Sequence, residues 1–204
     1  MAEESTEGVC LQEIAYLEKG TILKIFTLNH GLVSCFRKRG LPNCGPFCHG
    51  EWVIRPGRGD LFHLVDVTLH DLFLPLRSSY ALLMSAGKIA RNLLRSQFPG
   101  KSAPALYKLL LRYFQKMEDL SQHLPSLTGS FQIKLLVHEG LFSAEMRPAE
   151  LFTVEEWEQV IMLGAVSTFS QMSSFCLSRE LEEKIDRFFQ NRCQQDRTER
   201  DSNP

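Results

Sequence analysis

Three consecutive cations, Arg37, Lys38 and Arg39, follow an apolar run near the N-terminus of the chain. The run Leu32–Phe36 has the length of a short strand, and Gly40 ends the cationic triplet. A strand that carries cations to its own rim suits the binding of an anionic polymer, because lysine and arginine neutralise phosphates and release their counterions. The same triplet also fits a solvated loop flank, so it indicates a phosphate site only together with other features.

More cations occur at a glycine-rich turn and on two helical segments. Arg55 and Arg58 bracket a turn with two glycines, where a ligand backbone can approach closely. Each helical segment carries its cations on one side, since residues three or four positions apart are neighbours on a helix surface. If these two sides face each other, they form a second anion site, for DNA or for an acidic peptide. An ordinary hairpin tip and solvent-facing helix sides are the simpler interpretations. The helical cations are Lys88, Arg91 and Arg95, then Lys108, Arg112 and Lys116.

Three aromatic residues in predicted strands, Phe36, Trp52 and Phe62, could present rings on which bases stack. In a small barrel, however, an aromatic residue on a strand more often belongs to the core. We therefore favour the core interpretation for all three.

No cluster of residues predicts a metal site or an active site. Cys44, Cys48 and His49 have the residue types of a zinc site but not the spacing of a zinc knuckle. The glycines at 40 and 45 have P-loop spacing, but Pro46 stands where a lysine is required. The chain contains no Gly-x-Ser-x-Gly and no His-Glu-x-x-His sequence. We expect a protein that is not an enzyme and has no metal or cofactor.

The first third of the chain has the pattern of five short strands without a helix-length segment between them. Gly31 can adopt a positive φ, so Asn29-His30-Gly31 suits a short reversal between the second and third strands. This order argues against βαβ units and favours a small closed antiparallel barrel. The predicted strands are Val9–Leu17, closed by Lys19 and Gly20, then Ile22–Leu28, Leu32–Arg37, Cys48–Arg55 and Leu61–Leu69.

The fifth predicted strand shows the clearest alternation. Its period of two places one set of residues on one face, and Asp66, Thr68 and His70 on the other. The first face consists of Leu61, His63, Val65, Val67 and Leu69.

The pattern becomes helical after Leu74-Pro75, with apolar residues at spacings of three and four. Thr153-Val-Glu-Glu156 is a capping box, and Ser178 can cap a further helix. The predicted helices are 76–98, Pro104–Leu124, Leu127–Glu139, Thr153–Phe169 and one that begins at Ser178. The sequence therefore predicts an α+β protein with a barrel at 1–75, a helical bundle at 76–190 and a disordered tail at 191–204.

The charge of the chain is unevenly distributed. Residues 81–130 carry seven Lys and Arg against two Asp and Glu, whereas residues 131–204 carry eight against thirteen. A nucleic acid therefore suits the first 130 residues better than the last 70. The N-terminus is acidic and no apolar run approaches the ~18 residues that span a bilayer. We expect a cytoplasmic protein with no membrane partner and with its six cysteines reduced.

Residues 9–142 resemble the RecO family of bacterial recombination mediators. The resemblance depends on the order and spacing of five segments. They are Glu18-Lys-Gly-Thr-Ile-Leu-Lys-Ile-Phe-Thr27, His30-Gly31 with the basic cluster after it, Arg55-Pro-Gly-Arg-Gly-Asp-Leu61, Phe131-Gln-Ile-Lys-Leu-Leu-Val-His-Glu-Gly-Leu-Phe142, and Leu177-Ser-Arg-Glu-Leu-Glu-Glu183.

The resemblance implies an OB-fold barrel followed by a helical domain, and a nucleoid-associated protein without enzymatic turnover. It implies binding of single- and double-stranded DNA, annealing of complementary strands, and binding of the acidic C-terminal tail of the single-strand-binding protein. It also implies cooperation with RecR in loading RecA. The chain departs from the family pattern in two places. Ser143–Leu151 contains none of the cysteines of the family's zinc site, and Thr128 and Gly129 replace a cation.

We therefore predict a DNA-binding recombination mediator whose phosphate contacts come from the barrel rim and the first two helices. The alternative is a protein-binding adaptor that uses the same scaffold and has little DNA affinity of its own. The near-neutral net charge of −1 and the missing zinc module favour this alternative.

Overall fold

A computed structural model describes residues 2–16, 20–42, 44–120 and 125–202. The chain forms two compact units, 1–121 and 122–204. The sequence predictions for Leu17, Lys19 and Leu124 lie outside the described residues.

Within its described residues, the first unit contains a closed five-stranded barrel. The strands are β1 Glu4–Tyr16, β2 Gly20–Thr27, β3 Gly31–Lys38, β4 His49–Pro56 and β5 Leu61–Asp71. Their order around the barrel is β1-β2-β3-β5-β4, as in an OB-fold, so the predicted fold class is confirmed.

One pairing in the barrel differs from the prediction. β3 and β5 pair parallel, with Ser34 opposite Leu61 and Phe36 opposite His63. β4 runs antiparallel to both β1 and β5, so β5 runs in the same direction as β3. The barrel is therefore closed by a parallel pair and is not wholly antiparallel.

The reversal between β2 and β3 requires a glycine for two reasons. Gly31 has a φ of 64°, and a Cβ at this position would overlap the carbonyl oxygen of Lys101. The hydroxyl of Thr27 accepts a hydrogen bond from the amide of His30 at 3.1 Å and donates one to the carbonyl oxygen of Gly31 at 2.9 Å. The predicted hairpin is confirmed.

The core of the barrel is apolar, with one large aromatic residue at its centre. Trp52 is fully buried, and its Nε1 donates a hydrogen bond to the carbonyl oxygen of Gly8 at 2.9 Å. The core interpretation is therefore confirmed for Trp52. The other core residues include Cys10, Leu23, Ile25, Val33, Cys35, Ile54, Leu64 and Val67.

A β-bulge changes the alternation of β5. Val53 lies opposite Asp66, but the next residue of β4, Ile54, lies opposite Leu64, so Val65 is an extra residue. An extra residue shifts the side-chain alternation by one position. Leu64 and Val67 are both buried, and the prediction that His63 and Val65 share the face of Val67 is wrong.

The side chain of Arg37 lies inside the barrel end. Val33, Cys35 and Arg37 alternate along β3 and share its inward face, and Arg37 is 8% exposed. Its guanidinium pairs with the carboxylate of Glu13, and Nη1 also lies 3.5 Å from Sγ of Cys44. The predicted phosphate contact is therefore replaced, for Arg37, by an ion pair with Glu13 inside the end of the barrel.

Three helices belong to the same compact unit as the barrel, whereas the sequence predicts a boundary after residue 75. They are α1 Leu74–Ser78, α2 Tyr80–Ser96 and α3 Pro104–Glu118. α2 packs against β1 and α3 against β2. Phe114 of α3 makes edge-to-face contacts with Phe47 and Phe73, both at a centroid distance of 5.6 Å. These contacts between residues distant in sequence move the boundary to residue 121.

The second unit consists of four helices in its described residues. They are α4 Pro125–His138, α5 Val154–Ala165, α6 Phe169–Ser173 and α7 Arg179–Ser202. α4 is the central helix and packs against the other three. The predicted capping box is present, since Thr153 and Glu156 exchange side-chain to backbone hydrogen bonds. The Ser178 hydroxyl accepts a hydrogen bond from the amide of Leu181 at 3.1 Å, so it caps α7 as predicted.

Helix α7 continues through residues that the sequence predicts to be disordered. Phe189 is fully buried, Cys193 is 6% exposed, and the guanidinium of Arg192 lies 5.4 Å from the ring centroid of Phe188. These contacts bury one side of an otherwise polar segment, which is why the helix extends past residue 191.

The Arg37–Glu13 pair provides a stability test. Replacing Arg37 with alanine leaves the half-buried Glu13 carboxylate without its cation, so we expect the free energy of unfolding to fall by about 1–3 kcal/mol. Urea titration followed by tryptophan fluorescence measures this change, with Trp157→Phe as the background so that only Trp52 of the barrel contributes. Arg39→Ala is the matched control, because Arg39 is exposed and its loss should cost about 0.5 kcal/mol or less. Equal stabilities of the two variants would contradict the assigned role of Arg37.

Candidate nucleic-acid interface

One row of side chains crosses the outer face of the barrel. Its members lie directly opposite one another on successive strands. All of them are partly or fully exposed, whereas the residues that alternate with Ile22 and Phe36 face the core. We call this set the outer row, and it consists of Ile14, Ile22, Phe36, His63 and Arg55.

Phe36 is the central aromatic residue of the outer row. Its ring meets Tyr16 edge-to-face at a centroid distance of 6.1 Å and His63 at 6.0 Å. Tyr16 is 46% exposed. The core interpretation favoured from the sequence is therefore wrong for Phe36, which is half-buried on the outer surface. Phe62 is also half-buried and packs against the barrel core, with its ring centroid 6.4 Å from that of His30.

Two glycines leave space for the rings of the outer row. A Cβ on Gly20 would lie 3.0 Å from the ring of Phe36, and a Cβ on Gly57 would lie 2.9 Å from the ring of His63. Both would also overlap a backbone carbonyl oxygen. The rings therefore lie directly against the backbone of neighbouring segments, and their positions depend on the missing side chains.

Exposed cations lie beside the outer row. Lys38 follows Phe36 on the same side of β3, Arg39 comes next, and Arg58 lies in the turn after β4. Lys24 lies two residues after Ile22 on β2, on the same outer face, and its Nζ lies 2.8 Å from Oγ of Ser34. Lys38, Arg39, Arg55 and Arg58 thus lie at the surface, and their role as phosphate contacts stays a prediction. Sequence reasoning missed Lys24 and Tyr16, although the alternation of Lys24 with apolar neighbours on β2 was a usable signal.

The acidic residues of the barrel concentrate on a different part of its surface. Glu4, Glu7 and Glu51 are exposed on the paired strands β1 and β4. Glu4 lies 3.2 Å from Nε2 of His30. Asp60 is exposed in the turn beside Arg58. Glu4, Glu7 and Glu51 therefore lie on other strands than Lys24 and Lys38, whereas Arg58 has the carboxylate of Asp60 in its own turn.

The cations of α2 and α3 are also at the surface. Arg91, Arg95, Lys108 and Arg112 are exposed, and Nζ of Lys116 lies 3.1 Å from a carboxylate oxygen of Asp119. Residues 72–117 contain eight Lys and Arg and no Asp or Glu. α2 contacts β1 and α3 contacts β2, so the two sets lie on helices that pack against different strands. Their convergence into one groove stays a prediction.

The cysteines are not arranged as a metal centre in the part of the chain that the structure describes. No group of three or more Cys, His, Asp or Glu there could hold a metal ion. All six cysteines are free. Burial raises the pKa of Cys35 to about 12 and also raises that of Cys10, which keeps both thiols protonated. These side chains are therefore packing groups of the barrel core.

The sequence is similar to several curated proteins, although no family model matches it. It is 31% identical over 140 residues to the DNA repair protein RecO of Chlamydia trachomatis serovar D, 29% over 140 residues to that of Chlamydia muridarum, and 27% over 149 residues to that of Chlamydia pneumoniae. These regions cover 65%, 65% and 70% of this chain. Over these residues the chain is similar to RecO proteins.

This similarity confirms the resemblance to RecO that the residue motifs indicate. The matched region spans 57–59% of the length of these relatives. Among the described helices of the chain, none has the length and apolar character needed to cross a membrane.

The glycine beneath His63 can be tested directly. In Gly57→Ala the new Cβ collides with the carbonyl oxygen of Leu61 and with the His63 ring, so the turn must shift. We expect a loss of about 1–3 kcal/mol in the free energy of unfolding. Gly87→Ala in α2 meets only ordinary contacts and should stabilise the chain by about 0.5–1 kcal/mol. Thermal unfolding of both variants measures the contrast, and a neutral Gly57→Ala would show that the turn adapts freely.

Proposed function

We propose that this chain acts in DNA repair by binding single-stranded DNA across the outer face of its barrel. One observation carries the proposal: Phe36 presents its ring at the surface, between aromatic neighbours and beside exposed cations. Aromatic rings stack on unpaired bases regardless of sequence, and cations follow the phosphates. The names of the relatives, DNA repair proteins, support the same role.

In the proposed binding mode, the aromatic residues of the outer row contact the bases and the cations contact the phosphates. Phe36, with Tyr16 and His63 against its edges, offers a stacking surface that only an unpaired base can reach. Lys24, Lys38 and Arg55 lie around this surface and can neutralise the phosphates on either side. A strand held in this way keeps its backbone fixed while its bases stack, which fits sequence-independent binding.

The helical cations extend the proposal to double-stranded DNA and to annealing. The acid-free stretch 72–117 supplies Lys88, Arg91, Arg95, Lys108 and Arg112 as phosphate contacts. Phosphate contacts do not distinguish one strand from two. A second strand held there while the first lies on the barrel would favour pairing.

The resemblance to RecO proteins supports several finer proposals. They are binding of the acidic tail of the single-strand-binding protein, cooperation with RecR, assistance in loading RecA, and location at the nucleoid. We propose that these functions proceed without enzymatic turnover. We also propose that no zinc is needed, because the loop Ser143–Leu151 lacks cysteine.

Fluorescence anisotropy with a labelled oligo-dT tests the stacking role. Phe36→Ala should weaken single-strand binding by about 5- to 150-fold, which corresponds to about 1–3 kcal/mol per stacked base, and should change duplex binding much less. Tyr80→Ala is the matched control, because Tyr80 is an aromatic residue on α2 that is 78% exposed. An unchanged Phe36→Ala affinity would exclude stacking at this position.

The dependence on salt tests the phosphate contacts separately. Lys38→Ala with Arg39→Ala should reduce the slope of log K against log salt by about 0.7 for each phosphate that the variant no longer neutralises, whereas Phe36→Ala should leave the slope unchanged. Arg179→Ala in α7 removes an exposed cation of the other unit and serves as the control. A slope that the double variant does not change would place the strand elsewhere.

A protein-binding adaptor is the second candidate function, and an exposed apolar surface favours it. Leu74 is 60% exposed, Tyr80 78% and Met84 45%, all within α1 and the first turns of α2. Exposed apolar residues grouped in this way are typical of protein-binding surfaces.

The adaptor function predicts a different pattern of effects. Leu74→Ser with Met84→Ser should reduce retention of purified single-strand-binding protein or RecR in a pull-down, and DNA titrations should be flat already in the unaltered chain. Met146→Ser, which removes a methionine that is 64% exposed in the second unit, is the control. Tight, salt-dependent DNA binding combined with unchanged retention would exclude the adaptor function.

A further inference from the structure

A hydrogen bond between the first residue of β4 and helix α3 ties this helix to the barrel. Nε2 of His49 lies 3.1 Å from the hydroxyl of Tyr107. Tyr107 is 1% exposed, and its ring contacts Phe26 of β2 at a centroid distance of 6.4 Å. A hydroxyl buried this deeply requires a hydrogen-bond partner, so the contact with His49 is part of the packing of α3 against the barrel.

Titratable groups from each neighbouring element face His49. His70 of β5 places its ring against that of His49, with centroids 5.4 Å apart at an angle of 80°. Glu7 of β1 and Asp71 of β5 contribute carboxylates, and Tyr107 contributes the hydroxyl. Glu118, at the other end of α3, interacts with Asp71. His49 therefore lies between one basic neighbour and two acidic ones.

The neutral form of His49 suits this environment. Burial lowers the pKa of His49 and the nearby His70 lowers it further, while Glu7 and Asp71 act in the opposite direction. Burial also raises the pKa of Tyr107, so the phenol keeps its proton. A neutral imidazole can accept that proton at Nε2, which satisfies the buried hydroxyl.

We propose that His49 and Tyr107 form an acid-sensitive latch, which holds α3 on the barrel at neutral pH and loosens it on acidification. A protonated His49 carries a hydrogen on Nε2, so the contact can persist only with Nε2 donating to the hydroxyl oxygen, and the buried hydroxyl proton of Tyr107 loses its acceptor. The charged ring of His49 also lies against the ring of His70. Lys108 and Arg112 lie on α3 and move with it. This regulation goes beyond the proposed DNA binding and does not depend on it.

The pH range of the latch follows from the direction of the shift. A histidine whose pKa is lower in the closed state favours closure fully above its ordinary value, about 6.5, and loses that contribution as the pH falls below it. The carboxylates of Glu7 and Asp71 reduce the loss without reversing it, because burial is the largest cause of the shift. The latch is therefore closed at neutral pH and opens in mild acid.

Hydrogen exchange of the full chain tests the latch. It is measured by mass spectrometry at about pH 7.5, 6.5 and 5.5 and corrected for the intrinsic exchange rates. We expect protection of Pro104–Glu118 to fall in the lower half of this range, while protection of Val154–Ala165 in the other unit stays constant. His49→Gln keeps an acceptor for Tyr107 but cannot titrate, so its α3 protection should not depend on pH. His70→Gln removes the repelling neighbour and should show a smaller loss than the unaltered chain.

Two results would overturn the latch. One is α3 protection in the unaltered chain that does not change with pH, and the other is a loss in His49→Gln as large as in the unaltered chain. If His49→Gln does not fold, Tyr107→Phe decides, because it removes the hydroxyl, and a loss with falling pH as large in that variant as in the unaltered chain excludes the proposed interaction. None of these readouts involves DNA, so failure of the latch and failure of DNA binding are separate outcomes.

Discussion

The short parallel pairing of β3 with β5 is the constraint on which the rest of the first unit depends. It closes the barrel and sets Phe36 directly opposite His63. Since His63 is paired with Arg55 on β4, this single register also brings Arg55 into line with Phe36. Antiparallel pairs of consecutive strands bring Ile14, Ile22 and Phe36 together and set Arg55 opposite His63, and the β3–β5 pairing joins these two groups into one row.

Alternation along β3 explains why Lys38 of the cationic triplet lies at the surface, as expected, whereas Arg37 does not. Val33 and Cys35 are apolar, so the same parity sends Arg37 inward and Phe36 and Lys38 outward. The sequence contains this information, but grouping Arg37, Lys38 and Arg39 as one cluster ignored it. The carboxylate of Glu13, from another strand, stabilises the inward arginine, and no local pattern indicates that pairing.

The strands, the hairpin at Gly31, the capping box at Thr153 and the resemblance to RecO could be predicted from local patterns. The features that could not be predicted depend on distant partners. The bulge at Val65 is a property of the β4–β5 register, and the boundary at residue 121 depends on the packing of Phe114 against Phe47 and Phe73. The extension of α7 follows from the burial of Phe189 and Cys193. For the candidate site, residue types and exposure were predictable in part, whereas the shared outer row was not.

Gly31, in the hairpin between β2 and β3, lies directly against the backbone of Lys101, in the linker between α2 and α3. No side chain fits between the two segments, so the position of the linker from α2 to α3 depends on the position of the hairpin tip. A change in the length of either segment would disturb this contact. Gly59 has no such contact, since a Cβ there meets open space, and its φ of 60° is what favours glycine at that position. Insertions and reporter groups at the β2–β3 hairpin would therefore also displace the linker between α2 and α3.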